Sequence, residues 1–274
     1  MKRRRARFLR HRLGIAGAVV VAVMLAAAAG APWWRTQDPL GMQMSQALQP
    51  PTAQHWFGTD EFGRDVWSRV VYGTRLSITV GLASMLLATA SGVPLGAAAG
   101  YIGGAFDALV MRCMDAILAF PGLLLAIGLV AALGLGTVSG IIAIGVVYVP
   151  VFARVTRGAV LVRRQEEYVE AARALGQTDA AILRRHVLPN CVAPVLVQAT
   201  LGFASAIVID AGLSFLGAGT PPPAPDWGTM LNEAREFMVS APHVAVFPGL
   251  AISLAVLGFN LLGDGLRDIL DPRL

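Results

Sequence analysis

Apolar residues occur along this chain in long blocks. Leu13–Ala31, Leu76–Tyr101, Leu109–Leu133, Val138–Ala153, Val192–Leu216 and Val244–Gly263 carry almost no charge. A helix rises about 1.5 Å per residue, so about 20 apolar residues cross the roughly 30 Å hydrocarbon core of a bilayer. A helix also satisfies its own backbone there. The pattern therefore predicts an all-α membrane protein with six transmembrane helices. The block from Val138 is the shortest and contains Pro150, and Pro94, Pro121 and Pro194 fall in or near other blocks. Proline in a span frees a carbonyl and kinks the axis. Such broken helices often line a pathway, although membrane helices also tolerate proline without a functional reason.

Composition sharpens this picture. The chain is 55% hydrophobic and 14% charged, with a mean hydropathy of +0.63. Soluble domains carry about 25% charge, so an ordinary soluble enzyme, a disordered tail and a disulfide scaffold are excluded. Cys113 and Cys191 are too far apart to suggest a metal site or a framework. The net charge of +5 is weighted toward the N-terminus, where Lys2, Arg3, Arg4, Arg5, Arg7, Arg10 and Arg12 precede the first span. A basic tail beside a span reads as a topology signal, so no nucleic-acid partner is expected. Tail and span together also resemble a signal peptide, with Ala29-Gly30-Ala31 as its cleavage site. The run is long for that, and a retained anchor is expected.

Arg157, Arg163, Arg164, Arg173, Arg184 and Arg185 crowd the loop Thr156–Asn190, and Arg267 and Arg273 follow the last span. Segment 217–243 has Arg235 alone, while the arginines of 32–75 are balanced by Asp38, Asp60, Glu61 and Asp65. The positive-inside rule then places both termini in the cytoplasm and these two segments outside. The expected organisation is a basic tail and first helix (1–31), an extracytoplasmic segment (32–74), a transmembrane domain (75–264) with a cytoplasmic loop (156–190), and a short cytoplasmic tail (265–274). No phosphate loop, HExxH or GxSxG motif is present, and His11, His55, His186 and His243 are scattered. Neither a catalytic centre nor a metal site is expected.

The cytoplasmic loop is the most informative segment. Helix formers run from Arg163 to Leu175 and stop at Gly176; Thr178 and Asp179 can start a second helix, and Pro189 interrupts the chain before the fifth span. The prediction is helix, glycine elbow, helix. Tyr168, Ala171, Ala172 and Leu175 fall at i, i+3, i+4 and i+7 and form an apolar stripe. Such a stripe suits docking into a partner's groove, or lying on the lipid surface.

Glu170-Ala171-Ala172, Gly176 and Leu188-Pro189, at this spacing, resemble the signature loop of permease subunits in ATP-binding-cassette importers. Phe57–Asp65, Asp210–Gly217, Pro225-Asp226-Trp227-Gly228 and Phe259–Arg273 resemble the dipeptide, oligopeptide and nickel branch, C-type subunit. His186 stands where that family often has Ile, and Asp210 where Glu is expected. The resemblance implies a methionine-importer-like (MetI-like) type I transmembrane domain with an extra N-terminal helix. It implies a second, B-type permease, two cytoplasmic ATPase subunits that hold ATP and Mg, and an extracytoplasmic solute-binding protein. This chain would itself bind no cofactor and hydrolyse nothing. Tyr168, Glu170, Ala171, Ala172, Gly176, Leu188 and Pro189 would couple it to the ATPases. The implied solute is a di- or oligopeptide, with nickel, glutathione or another peptide-like solute as alternatives. A gradient-driven secondary transporter would not need this loop.

Asp60, Arg64 and Asp65, with Trp227 in a stiff proline-rich loop, are candidates for contact with the binding protein. Equally, the first three can form a local turn network. Asp115 and Asp210 lie within spans, where a carboxylate is expensive unless partnered or hydrated, and are candidates for the pathway or a gate. Arg112, three residues before Asp115, offers a structural partner at helical spacing.

Overall fold

The computed structural model describes residues 12–270. Ten α-helices occur among them: α1 (Arg12–Trp34), α2 (Val66–Ile102), α3 (Gly104–Leu118), α4 (Gly122–Leu133), α5 (Thr137–Arg163), α6 (Glu167–Ala174), α7 (Asp179–Ile182), α8 (Val192–Phe215), α9 (Trp227–Glu233) and α10 (His243–Leu270). Five stretches are long and apolar enough to cross a bilayer: α1, α2, α5, α10 and the run from Asp179 to Phe215 that joins α7 to α8. The pair α3 and α4, bent by 90° at its break, is together apolar enough to make a sixth. The block Leu109–Leu133 is thus broken, not one straight helix. Its cause is local. Pro121 has no N–H to give and disfavours helical backbone at Phe120, and the ladder restarts with Leu125 N–H donating to the Pro121 carbonyl.

Several boundaries move outward from the expected ones. Helix α2 begins at Val66, so the irregular segment after α1 ends at Asp65. Helix α5 continues ten residues past Ala153 to Arg163, and α10 continues to Leu270, absorbing most of the expected tail. The basic residues before Arg12, and Asp271 to Leu274, lie outside the described residues.

Small residues set the packing. Gly92, Gly96 and Gly100, one turn apart on α2, press against α5: a Cβ at Gly96 would stand 2.1 Å from the Ala153 carbonyl oxygen, and one at Gly92 would stand 2.6 Å from that of Val149. Lipid tails are as apolar as side chains, so membrane helices gain from this closeness and not from exclusion of water. The added helix α1 docks on α10 in the same way. A Cβ on Gly17 would meet the Leu262 nitrogen at 2.4 Å, and one on Gly265 would meet the Gly14 Cα at 2.7 Å. At the end opposite α6, Asp65 caps α2 by accepting from Ser68 N–H at 2.8 Å. The Trp227 indole lies under α2 and donates to the Val70 carbonyl at 3.0 Å.

Candidate functional site

Two polar regions stand apart from the apolar body: the elbow between α5 and α8, and a charged cap at the opposite end.

In the elbow, α6 closes with a paired C-terminal turn. Gly176 N–H donates to the Arg173 carbonyl and Gln177 N–H to that of Ala172. This geometry puts Gly176 at φ +77°, the left-handed region that glycine occupies at least cost. Thr178 then accepts from Ala181 N–H and starts α7, as the sequence predicts. The chain does not stop at Pro189. A π turn over Leu183–Val187 and a 3-10 turn over Leu188–Cys191 carry it into α8, so Pro189 is absorbed where its missing N–H has little helical work to do.

The elbow is clamped to the body. Val169, Ala172, Ile182, Val187 and Cys191 are buried against Ala97 and Val160. Tyr101 donates its hydroxyl to Asp179 at 2.7 Å, and Arg164 donates to the Gly100 carbonyl at 2.9 Å. This corrects the expected stripe: Ala172 turns inward with Val169, leaving Tyr168, Ala171 and Leu175 outside. Leu175 is 81% exposed, and Glu170 and Pro189 are exposed with it, while Leu188 is half-buried against the inner cluster. The reason is tertiary. Helix α6 has only two turns, and α2 and α5 take the face centred on Val169.

At the cap, Arg64 donates through Nε to Asp60 at 2.5 Å and through an NH2 nitrogen to Glu233 at 2.8 Å. Arg69 reaches the same Glu233 oxygen at 3.3 Å. His55 and Thr36 both bond Asp65, at 2.9 and 2.7 Å. Asp60, Glu61 and Glu233 could geometrically surround a cation, but the guanidinium groups of Arg64 and Arg69 already pair with them. Burial pushes the Glu61 carboxyl above its usual range, helped by the charges of Asp60 and Glu233 and opposed by Arg64. Asp60, Arg64, Asp65 and Trp227 are each only 1–3% exposed. The expectation that these side chains meet a binding protein is therefore corrected: they hold the cap together from within. The turn-network reading fits, widened by Glu233, which joins from α9.

The two intramembrane acids separate. Asp210 on α8 is buried, and its close neighbour is Asp226, the residue that caps α9 by accepting from Thr229 N–H at 2.9 Å. Asp210 is only 4% exposed, so in this chain it is enclosed beside Asp226 and does not open onto the surface. Burial pushes the Asp226 carboxyl up, opposed by the bonds from Thr229. Asp115 is paired, but with Arg154 of α5 at 2.5 Å and not with Arg112. Sequence reading overlooked Arg154, which lies just past the apolar block that ends at Ala153.

Long apolar helices packed through small residues, with an elbow clamped against them at one end, make this a multi-span membrane protein. The chain belongs to the family of binding-protein-dependent transport system inner membrane components, whose family model matches residues 92–274. The model of the N-terminal transmembrane domain of oligopeptide transport permease C matches residues 1–51. The chain is 46% identical to the dipeptide transport system permease protein of Alkalihalophilus pseudofirmus, over 97% of this chain and 87% of the relative. It is 45% identical to the glutathione transport system permease protein of Pectobacterium atrosepticum, over 98% of this chain and 89% of the relative. A solved structure of the methionine ABC transporter in an inward-facing conformation superposes with a TM-score of 0.62 at 19% identity, covering 73% of this chain and 96% of the other. The fold is therefore the MetI-like transmembrane domain with an extra N-terminal helix. The chain is a multi-pass inner-membrane permease, and ATP hydrolysis is left to partner subunits.

Proposed function

We propose that this chain is the C-type permease of an ATP-driven importer for di- or oligopeptides. It works beside a B-type permease, above two ATPase subunits that hold ATP and Mg, and receives solute from an extracytoplasmic binding protein. Both termini are cytoplasmic on this reading, as is the elbow. The observation that carries it is the two-faced elbow: one face is locked to α2 and α5, and the other offers Tyr168, Glu170, Ala171 and Leu175 to a partner. A push on the outer face then reaches the spans as a rigid displacement instead of dissipating in a loop. Names of relatives support the solute class, and the glutathione permease keeps a peptide-like solute as the nearest alternative.

The test uses the assembled complex. Single cysteines at Leu175 and Tyr168 are expected to cross-link to the ATPase subunits, and a cysteine at Val169 is not. Labelled dipeptides, oligopeptides, glutathione and nickel are offered in uptake assays with and without this subunit. Cross-linking at Val169 alone would overturn the coupling face, and nickel uptake without peptide uptake would overturn the solute.

A further inference from the structure

Both arms of the elbow are fastened to one place, the last turn of α2. The chain enters the elbow through Arg164, the residue that closes α5, and its guanidinium donates to the Gly100 carbonyl at 2.9 Å and to the Tyr101 carbonyl at 3.3 Å. It leaves through α7, where Asp179 accepts from the Tyr101 hydroxyl at 2.7 Å. The first fastening answers a need of the helix. The last four carbonyls of an α-helix have no donor within it, and that end carries partial negative charge. Gly103 N–H serves Ala99, and Arg164, a cation, serves the next two. At its other end α2 carries the charged cap. Asp65 caps its first turn, Arg69 reaches Glu233 of α9 at 3.3 Å, and Trp227 of α9 donates to the Val70 carbonyl at 3.0 Å. Between the two ends run 37 residues, about 55 Å of helix. Pro94 removes one bond from this ladder. The helix is braced there, because Gly92 and Gly96, on either side, press on the backbone of α5.

We propose that Arg164 and Tyr101 are positioning residues that make α2 the receiver of the elbow's displacement, and that α2 hands this displacement to the cap. The source of the force rests on the importer reading above; the choice of α2 rests on the bonds. Chain connectivity alone would send a movement of the elbow into α5 and α8, which it joins. Pins from its two arms to a third helix add a route that connectivity does not supply. The pins differ in kind. That of Arg164 is half-buried, charge-assisted and double, whereas that of Tyr101 lies at the surface, so Arg164 carries the larger share. At the far end Glu233 is shared by Arg64 and Arg69, so α9 moves with α2 instead of sliding past it.

The experiment uses the assembled complex in proteoliposomes and reads import per ATP hydrolysed. Arg164→Met, which keeps the length and removes the donors, is expected to lower this ratio about tenfold, and Tyr101→Phe about threefold, while basal ATPase activity persists. Arg164→Lys, which restores a cationic donor, should recover most of the loss. Tyr101→Phe with Asp179→Ala should cost no more than Asp179→Ala alone, since both remove the same bond. Arg163→Met, one position earlier, removes an arginine that bonds Glu166 within the elbow and should leave the ratio unchanged. The cap's movement is read by spin labels at Glu236, after α9, and at Leu135, in the turn between α4 and α5 at the same end. Both positions are exposed, and the background carries Cys113→Ser, Cys191 being buried. The separation of the labels is expected to change between nucleotide states and to stop changing in Arg164→Met. An unchanged ratio in Arg164→Met, an equal fall in Arg163→Met, or a separation that still changes in Arg164→Met overturns the assignment. Cross-linking from Leu175 to the ATPases, made in the same preparations, tells which idea fails. With it present, the route through α2 is wrong and the docking reading stands; without it in the unaltered chain, both fall.

Discussion

Replacing Gly176 separates backbone conformation from packing at the elbow. Its φ is +77°, and a Cβ built there meets nothing within 4 Å. Alanine therefore brings no clash, only the strain of holding an L-residue in the left-handed region, roughly 1–2 kcal/mol. That is a factor of about 5–30 in the population of the native turn against any relaxed alternative. Asparagine tolerates this region better, and a β-branched residue tolerates it worse. The expected order of import per ATP hydrolysed, in proteoliposomes holding the whole complex, is glycine, then asparagine, alanine and valine. Gly217 supplies the control. It has φ +80° with open space around it, closing α8 at the other end of the molecule. Gly217→Ala carries the same strain but leaves import per ATP unchanged. Equal coupling in all four Gly176 proteins, or equal uncoupling by Gly217→Ala, would refute the idea that this turn transmits force.

At Gly96 the balance is reversed, because an added Cβ meets the backbone of α5; Gly96→Ala is expected to lower thermal stability in detergent by about 1–3 kcal/mol, and an unchanged melting temperature would contradict the close α2–α5 contact. Glu233→Ala leaves Arg64 and Arg69 buried with less compensation, a loss of about 3–5 kcal/mol, read as rapid proteolysis within residues 35–65; Glu233→Gln should be milder. Glu61→Gln should raise the melting temperature at pH 7. The carboxyl of Glu61 is shifted upward in the folded protein, chiefly by burial, so the native form loses stability as pH rises through its ordinary value of 4.5. The gain should vanish below that pH, and a gain that grew on acidification would reverse the sign of the argument.

The spans were readable because the bilayer enforces length and hydropathy on each one separately. The Gly176 turn and the Thr178 cap were readable for a similar reason, since their partners lie within a few residues. Partnerships across the chain were hidden. Arg64 and Glu233 are 169 positions apart, and no local pattern joins them. The true partner of Asp115 sits 39 positions away on α5, while the spacing rule for a single helix pointed to Arg112. The inward turn of Ala172 fails for the same cause: in a two-turn helix the neighbours, not the periodicity, choose the buried face. Pro121 announced a kink, but its 90° angle depends on what packs around it.

Gly17 of the first span seats against Leu262 of the last, 245 positions later. During synthesis the chain emerges from its N-terminus, so α1 enters the bilayer long before its seat exists. Until α10 arrives, the glycine ridge of α1 faces lipid. A helix with no charged residue after Arg12 tolerates that wait. The order of biogenesis is thereby fixed: the final span closes the bundle, and a chain shortened before Gly258 would keep its anchor in the membrane without ever docking it.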